Sequence, residues 1–143
     1  STATGTYVRR MPMEVPVELS QILINEAVDQ QIIVLKEQEG QRSFPIIIGM
    51  PEILAIDRRL KGYELPRPLT HDLLAHVIDQ MGGQVIKVVI NDMWEHTFYA
   101  KIWVRQNSKT IEIDSRPSDA IALACGLNAP IFVEEHVFDQ LQM

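Results

Sequence analysis

The sequence predicts an α+β fold: a single compact domain of mainly antiparallel strands around a central apolar helix. Three observations predict it. Thr97–Arg105 alternates apolar and polar residues with a period of two, as a half-buried strand does. Leu73, Leu74, Val77, Ile78 and Met81 recur at helical spacing. Twice, two strand-like runs joined by a short turn are followed by a helix opened by proline, which is not the regular strand–helix–strand order of a parallel sheet.

The elements follow in order. Val15, Val17 and Leu19 alternate with polar residues, and Ile22 and Ile24 continue out of phase, which predicts a strand bulged near Ser20-Gln21. Gln31–Lys36 is a second strand and Ser43–Ile48 a third, with the turn signal Glu39-Gly40-Gln41 between them. Pro45 has no N–H to give to a ladder, so the third strand is an edge strand or begins there. Pro51 opens a helix to about Lys61, and Gly62 stops it. Tyr63–Leu69 holds two prolines and reads as extended. Thr70 is expected to cap a helix reaching about Met81, with Leu69 and Leu74 as a hydrophobic staple.

Val85–Ile90 is expected to be buried on both faces, and Asn91–His96 to be a loop. Thr97–Arg105 and Lys109–Asp114 form a hairpin about Gln106-Asn107-Ser108, and the helix from Pro117 to about Gly126 is apolar almost all round, hence central. A short strand at Pro130–Val133 and a terminal helix complete the chain. Pro51 and Pro117 stand 66 positions apart, which suggests a duplicated hairpin–helix unit.

The bulk properties bound the function. A chain of 143 residues fits one domain. It buries about two-thirds of its surface, enough to fold without disulfides or a structural metal. Ser1–Pro12 reads as a flexible leader and 13–143 as the domain, with no signal peptide and no run near the ~20 apolar residues that cross a membrane. The lone Cys125 lies in an apolar run and reads as a small buried hydrophobe, compatible with a reducing cytoplasm. The net charge of −6 argues against binding nucleic acid by charge alone; a local basic patch or a bridging metal would be needed.

Four segments could carry chemistry. In Pro66–Leu74, Arg67 between two prolines could clamp phosphate or carboxylate, while Asp72 sits where a first-turn carboxylate is favoured with or without a function. In Asp114–Asp119 a strand end meets a helix start, where free N–H groups attract anions; Asp114 and Asp119 could hold a divalent ion, or Asp119 could be a cap. Asp92, Glu95 and His96 crowd one short loop and could ligate a metal or supply a general base, though a solvated polar turn is the more usual meaning of such a run. Tyr99, Lys101, Trp103 and Arg105 share a strand face suited to stacking on bases, or to an interface. No P-loop, GxGxxG, HExxH, GxSxG or zinc pattern is found.

The motifs PIIIG…AI (Pro45 to Ile56), PRPLTHDLL (Pro66 to Leu74), TFYA (Thr97 to Ala100), RPSDAIALA (Arg116 to Ala124) and APIFV (Ala129 to Val133) occur in the order found in the bifunctional nuclease family, which the chain resembles over roughly Met13 to Val137. The resemblance implies a small α+β domain with nuclease action on DNA and RNA, cytosolic in bacteria and linked to defence in plants, and it suggests a homo-oligomer. The family-matching positions carried over are Arg67, His71, Asp72, Tyr99, Arg116, Ser118 and Asp119. Pro51-Glu52-Ile53 departs from the pattern, since a small residue is expected after the acid; the departure bears on packing.

The expectation is phosphodiester hydrolysis assisted by a divalent ion. Asp72, Asp114 and Asp119 would hold Mg²⁺ or Mn²⁺. Arg67 and Arg116 would clamp the phosphate, with Tyr99 and Ser118 as further substrate contacts. His71, with Asp72 and Asp119, would do the catalytic work, the imidazole serving as acid or base. The rivals are a non-enzymatic oligomeric binding or regulatory module, and a hydrolase of a small phosphorylated molecule, which a closed pocket would favour.

Overall fold

The computed structural model describes residues 13–143, and the leader expected at 1–12 lies outside them. The elements are β1 (Glu14–Leu23), β2 (Gln30–Glu37), β3 (Ser43–Gly49), α1 (Met50–Leu60), α2 (Thr70–Gln80), β4 (Gly83–Trp94), β5 (Thr97–Gln106), β6 (Lys109–Ser115), α3 (Pro117–Leu127), β7 (Ile131–Glu134) and α4 (Glu135–Gln140). One seven-stranded sheet runs β3-β2-β1-β7-β4-β5-β6. Every ladder is antiparallel except β4 with β7. The α+β class holds, and Pro45 lies on an edge strand.

The two hairpin–helix units are present as β2–β3–α1 and β5–β6–α3, and α1 packs against α3. Helix α3 touches β4, β5, α1 and α2, and it buries Ala120–Ala124. Asn128 ends it in the left-handed region at φ 54°, and the Ala129 N–H returns to the Ala124 carbonyl. The core side chains come from alternate strand positions: Ile33 and Leu35, Phe44, Ile46 and Ile48, Ala100, Ile102 and Val104. Phe44 stacks on Phe98 with centroids 5.4 Å apart and meets Phe138 edge-on at 5.5 Å. Burying side chains of this size contributes about 1.5–3 kcal/mol each. Over Phe138 lies Arg42, which donates to both Glu37 and Glu135 and so ties the β2–β3 turn to α4. Those bonds hold both carboxyls below the usual range.

Three expectations are corrected. The segment Asn91–His96 is not a loop: β4 continues through Trp94, and only Glu95 and His96 turn, at φ 48° and 65°. A bulge between Ile90 and Asp92 resets the register, so that Asp92, Met93 and Trp94 pair with Tyr99, Phe98 and Thr97. The polar composition concealed a ladder. Secondly, Leu69, not Thr70, is the N-cap of α2, and no Thr70 side-chain bond caps it; Asp72 Oδ2 instead accepts the Leu69 N–H at 2.9 Å. Thirdly, α2 is less embedded than its spacing implies: it contributes no fully buried residue, and Leu73, Val77 and Met81 are exposed.

The bulge expected near Ser20-Gln21 lies between Leu19 and Gln21. Val88, Val89 and Ile90 are buried on both faces of β4. Burial pushes the Cys125 thiol up to about 11. No helix among the described residues is long and apolar enough to cross a membrane.

Candidate active site

Two helices begin beside each other. The extended Leu69 delivers the chain into α2, placing His71 and Asp72 on its first turn. The extended Arg116 delivers β6 into α3, with Pro117 fixing the first helical φ and Asp119 on the first turn. The sheet packs α2 and α3 together, so the two long motifs meet.

They meet through His71 and Asp119. His71 Nε2 lies 2.9 Å from Asp119 Oδ1. A carboxylate only accepts, so Nε2 carries a proton, and in the neutral imidazole Nδ1 keeps its lone pair. No described group bonds Nδ1. Arg116 Nε donates to Asp119 Oδ2 at 3.0 Å, and Arg116 Nη2 donates to Glu52 Oε1 at 2.8 Å. Glu52 is buried on the first turn of α1. The result is a chain Glu52–Arg116–Asp119–His71 across three helix starts. Its carboxylate partners raise the Arg116 guanidinium above its ordinary range, first through the Asp119 bond and then through Glu52.

The chain borders an open groove of about 580 Å³ whose lining includes His71, Arg116 and Asp119 together with the apolar Leu74, Ile102 and Ile113. Asp114 is exposed and pairs with Lys101 in the β5–β6 ladder, so its side chain shares the Tyr99 and Lys101 face of the sheet rather than the face of His71. The Ser115 hydroxyl is spent on the Arg116 carbonyl at 2.8 Å.

Asp72 goes elsewhere. Arg58 Nη2 reaches both its oxygens, at 2.9 and 2.8 Å, Arg59 adds a bond at 3.2 Å, and the Leu69 amide takes the remaining direction. Burial alone would raise this carboxyl, but the Leu69 amide and the two arginines together hold it below the usual range. The space around it amounts to about 10 Å³, with no room for a ligand. The three acids Asp72, Asp114 and Asp119 therefore do not assemble: among the described residues no group of three or more His, Cys, Asp or Glu is arranged to hold a metal ion.

The other expected residues scatter. Arg67 is exposed and outside the groove, bonded to no described group. Tyr99 lies on the opposite face of the sheet, paired with Asp92. On that face Lys87 covers Trp103 at 4.5 Å and also pairs with Glu14 at 2.6 Å, so the aromatic–basic stripe is partly satisfied internally. Ser118 is buried at the start of α3, facing a second depression. Sequence reasoning missed Glu52, Arg58 and Arg59. Glu52 had one signal: it stands 66 positions before Ser118, at the matching point of the duplicated unit.

Comparison with known proteins adds the following. The model of the bifunctional nuclease domain matches residues 33–143. An uncharacterized protein of Mycobacterium tuberculosis (strain H37Rv) is 40% identical over 119 residues, covering 83% of this chain and 71% of its own. Bifunctional nuclease 2 of Oryza sativa subsp. japonica is 32% identical over 115 residues, covering 77% of this chain and 35% of its own. Bifunctional nuclease 2 of Arabidopsis thaliana is 29% identical over 110 residues, 73% of this chain and 33% of its own. The chain thus spans about a third of these plant relatives. It belongs to the bifunctional nuclease domain family.

Proposed function

We propose, from membership of this family, that the chain is a nuclease hydrolysing phosphodiester bonds of DNA and RNA at the groove between α2 and β6, beside the start of α3. The observation that carries the reading is the 2.9 Å contact of His71 with Asp119, because it joins two sequence-distant motifs at the mouth of an accessible groove. Asp119 orients the imidazole. Nδ1 takes a proton from water as its oxygen attacks phosphorus, the bond to the leaving sugar oxygen breaks, and that oxygen takes a proton back from the imidazolium. Arg116 is held by Asp119 and Glu52 through Nε and Nη2, and its Nη1 offers donors to a non-bridging phosphate oxygen.

The carboxylates present do not fit a divalent ion, Mg²⁺ or Mn²⁺, in this groove. Such ions commonly use one or two carboxylates and complete their shell with water and substrate phosphate. Asp114 points with Lys101 to the other face of the sheet, and both Asp119 oxygens already meet His71 and Arg116, so neither is free to hold the ion in the groove. Asp72 has no part in this, and Arg67 and Tyr99 lie outside the site.

The test is cleavage of single-stranded DNA, duplex DNA and RNA by purified protein, with Mg²⁺, with Mn²⁺ and with chelator. The control is a folded Asp119→Asn, Arg116→Ala variant. Cleavage should fall by about 10²-fold or more in the variant. Equal cleavage by both proteins would remove the site from this groove.

One observation favours a second reading, a binding module that assembles with a further copy of itself: Leu69, Leu73, Val77 and Met81 leave α2 with an exposed apolar stripe. A mass for the intact protein in solution equal to one chain would dismiss it. A cytoplasmic setting belongs with either reading.

A further inference from the structure

Glu52 and Asp72 hold the same place in their helices, the third residue of each. An acid there normally serves its own helix start. Asp72 does so, accepting the Leu69 N–H at 2.9 Å. Glu52 does not. No described bond returns it to the Gly49 N–H, and its Oε1 accepts from Arg116 Nη2, on another helix start, at 2.8 Å. We propose, on the nuclease reading of the groove, that Glu52 seated against Gly49 is a positioning residue: it orients the Arg116 guanidinium so that the free Nη1 is presented to the substrate phosphate.

Gly49 is what lets the carboxylate sit there. Its backbone is extended, at φ −80° and ψ 165°, a conformation that any residue adopts. Backbone freedom therefore does not call for a glycine. Room does: a Cβ at this position would lie 2.6 Å from Glu52 Oε2. The next atoms, Glu52 Cδ and Pro51 Cδ, stand 3.7 Å away, an ordinary contact, so the carboxylate alone excludes a side chain. The last residue of β3 is thus the floor of a seat for Glu52. In this pair the Glu52 side chain is 10% exposed and the Arg116 side chain 68%. The buried carboxylate is the anchor, and the exposed guanidinium is what it holds.

The donors of Arg116 show what the anchor achieves. Nε and Nη2 meet Asp119 Oδ2 at 3.0 and 2.9 Å, Nη2 also meets Glu52, and Nη1 bonds no described group. Arg116 and Asp119 belong to the same helix start, so their contact leaves the guanidinium free to turn about it. Glu52 comes from α1 and fixes the planar group from outside α3. A donor that stabilises charge in a transition state must be in place before the charge develops. A displacement of about 1 Å in such a group can cost about 10²-fold in rate.

Gly49→Ala tests this with every charge kept. The added methyl meets only the far end of the Glu52 side chain, so the carboxylate shifts and the fold does not. Glu52→Gln is the second variant. Three quantities are measured on the whole protein: the Arg116 side-chain nitrogen NMR signals, kcat and KM for single-stranded DNA and RNA, and the urea midpoint. The Arg116 Nη signals should be resolved in the wild type and merge in both variants as the group turns freely. In both, kcat/KM should fall about tenfold, mainly through kcat. Gly49→Ala added to Arg116→Ala should change kcat/KM by less than about twofold, because Glu52 acts through Arg116. A tenfold fall in that background, or Arg116 signals unchanged in both single variants, would overturn the proposal. A lowered urea midpoint with unchanged kcat/KM would make the pair structural and reject it too. If Glu52→Gln does not fold, Gly49→Ala decides alone. Merged Arg116 signals in a protein that cleaves nothing would keep Glu52 as the residue that orients Arg116 and reject the nuclease reading. Cleavage that neither variant alters would do the reverse.

Discussion

His71 and Asp72 are neighbours on one helical turn, yet their side chains join opposite kinds of cluster. Asp72 lies in a closed knot with Arg58, Arg59 and the Leu69 amide, with almost no free volume around it. His71 reaches Asp119 at the edge of a groove of about 580 Å³. Both clusters sit at helix starts and both pair a carboxylate with arginine. The difference is access. A carboxylate whose directions are all taken by protein donors can only stabilise the fold, whereas a pair with a free nitrogen beside open space can act on something else. Charged residues in a long motif therefore divide by what surrounds them.

The comparison can be broken most directly at Asp72. Asp72→Ala should destabilise the protein by about 3 kcal/mol in urea unfolding, because it strands two arginines and uncaps α2. Arg58 Nε is already buried without a partner, which leaves that side chain little alternative. A loss below about 1 kcal/mol would show the knot to be dispensable.

Acid sharpens the contrast next. The folded Asp72 carboxyl is depressed, so its contribution is fully present above its unfolded value, near pH 4, and is lost as pH falls through the lower folded value. Glu37 and Glu135, depressed by Arg42, add to the same trend. Between pH 5 and pH 3 the urea midpoint should fall in the wild type and fall less in Asp72→Asn. Parallel curves would mean that Asp72 is not depressed.

The smallest effect is expected at Arg59, whose side chain is 40% exposed against 13% for Arg58. Arg59→Ala should cost about 0.5 kcal/mol, as exposed ion pairs do, and half a molar of added salt should cut that difference. A cost matching that of Asp72→Ala would make Arg59 the main partner instead.

Much of the fold was legible because it rests on local periodicity. The alternation of Thr97–Arg105 set the face of β5, and the all-apolar Ala120–Ala124 marked the central helix. The β4 extension was hidden because Asn91 is the bulged residue and Asp92 resumes the ladder after it, which breaks the two-residue period where the polar run suggests a turn. At the site, the motifs named the right helix starts, but spacing along the chain cannot say which carboxylate turns inward. That depends on Arg58 and Arg59, contributed by α1, and on Glu52, which a local pattern treats as an ordinary first-turn acid.

The place of β7 carries a consequence for how the molecule is made. Strands β1 to β3 form one ladder and β4 to β6 another, and the described strands of the two meet only through β7, which lies between β1 and β4. During synthesis the ribosome delivers β7 after the six other described strands. Until it emerges, two three-stranded halves wait with the Val17 edge of one and the Val88–Ile90 edge of the other unpaired. Of the seven described strands the one that unites the sheet is translated last, so a chain arrested before it is most adhesive in the middle of what will become its core.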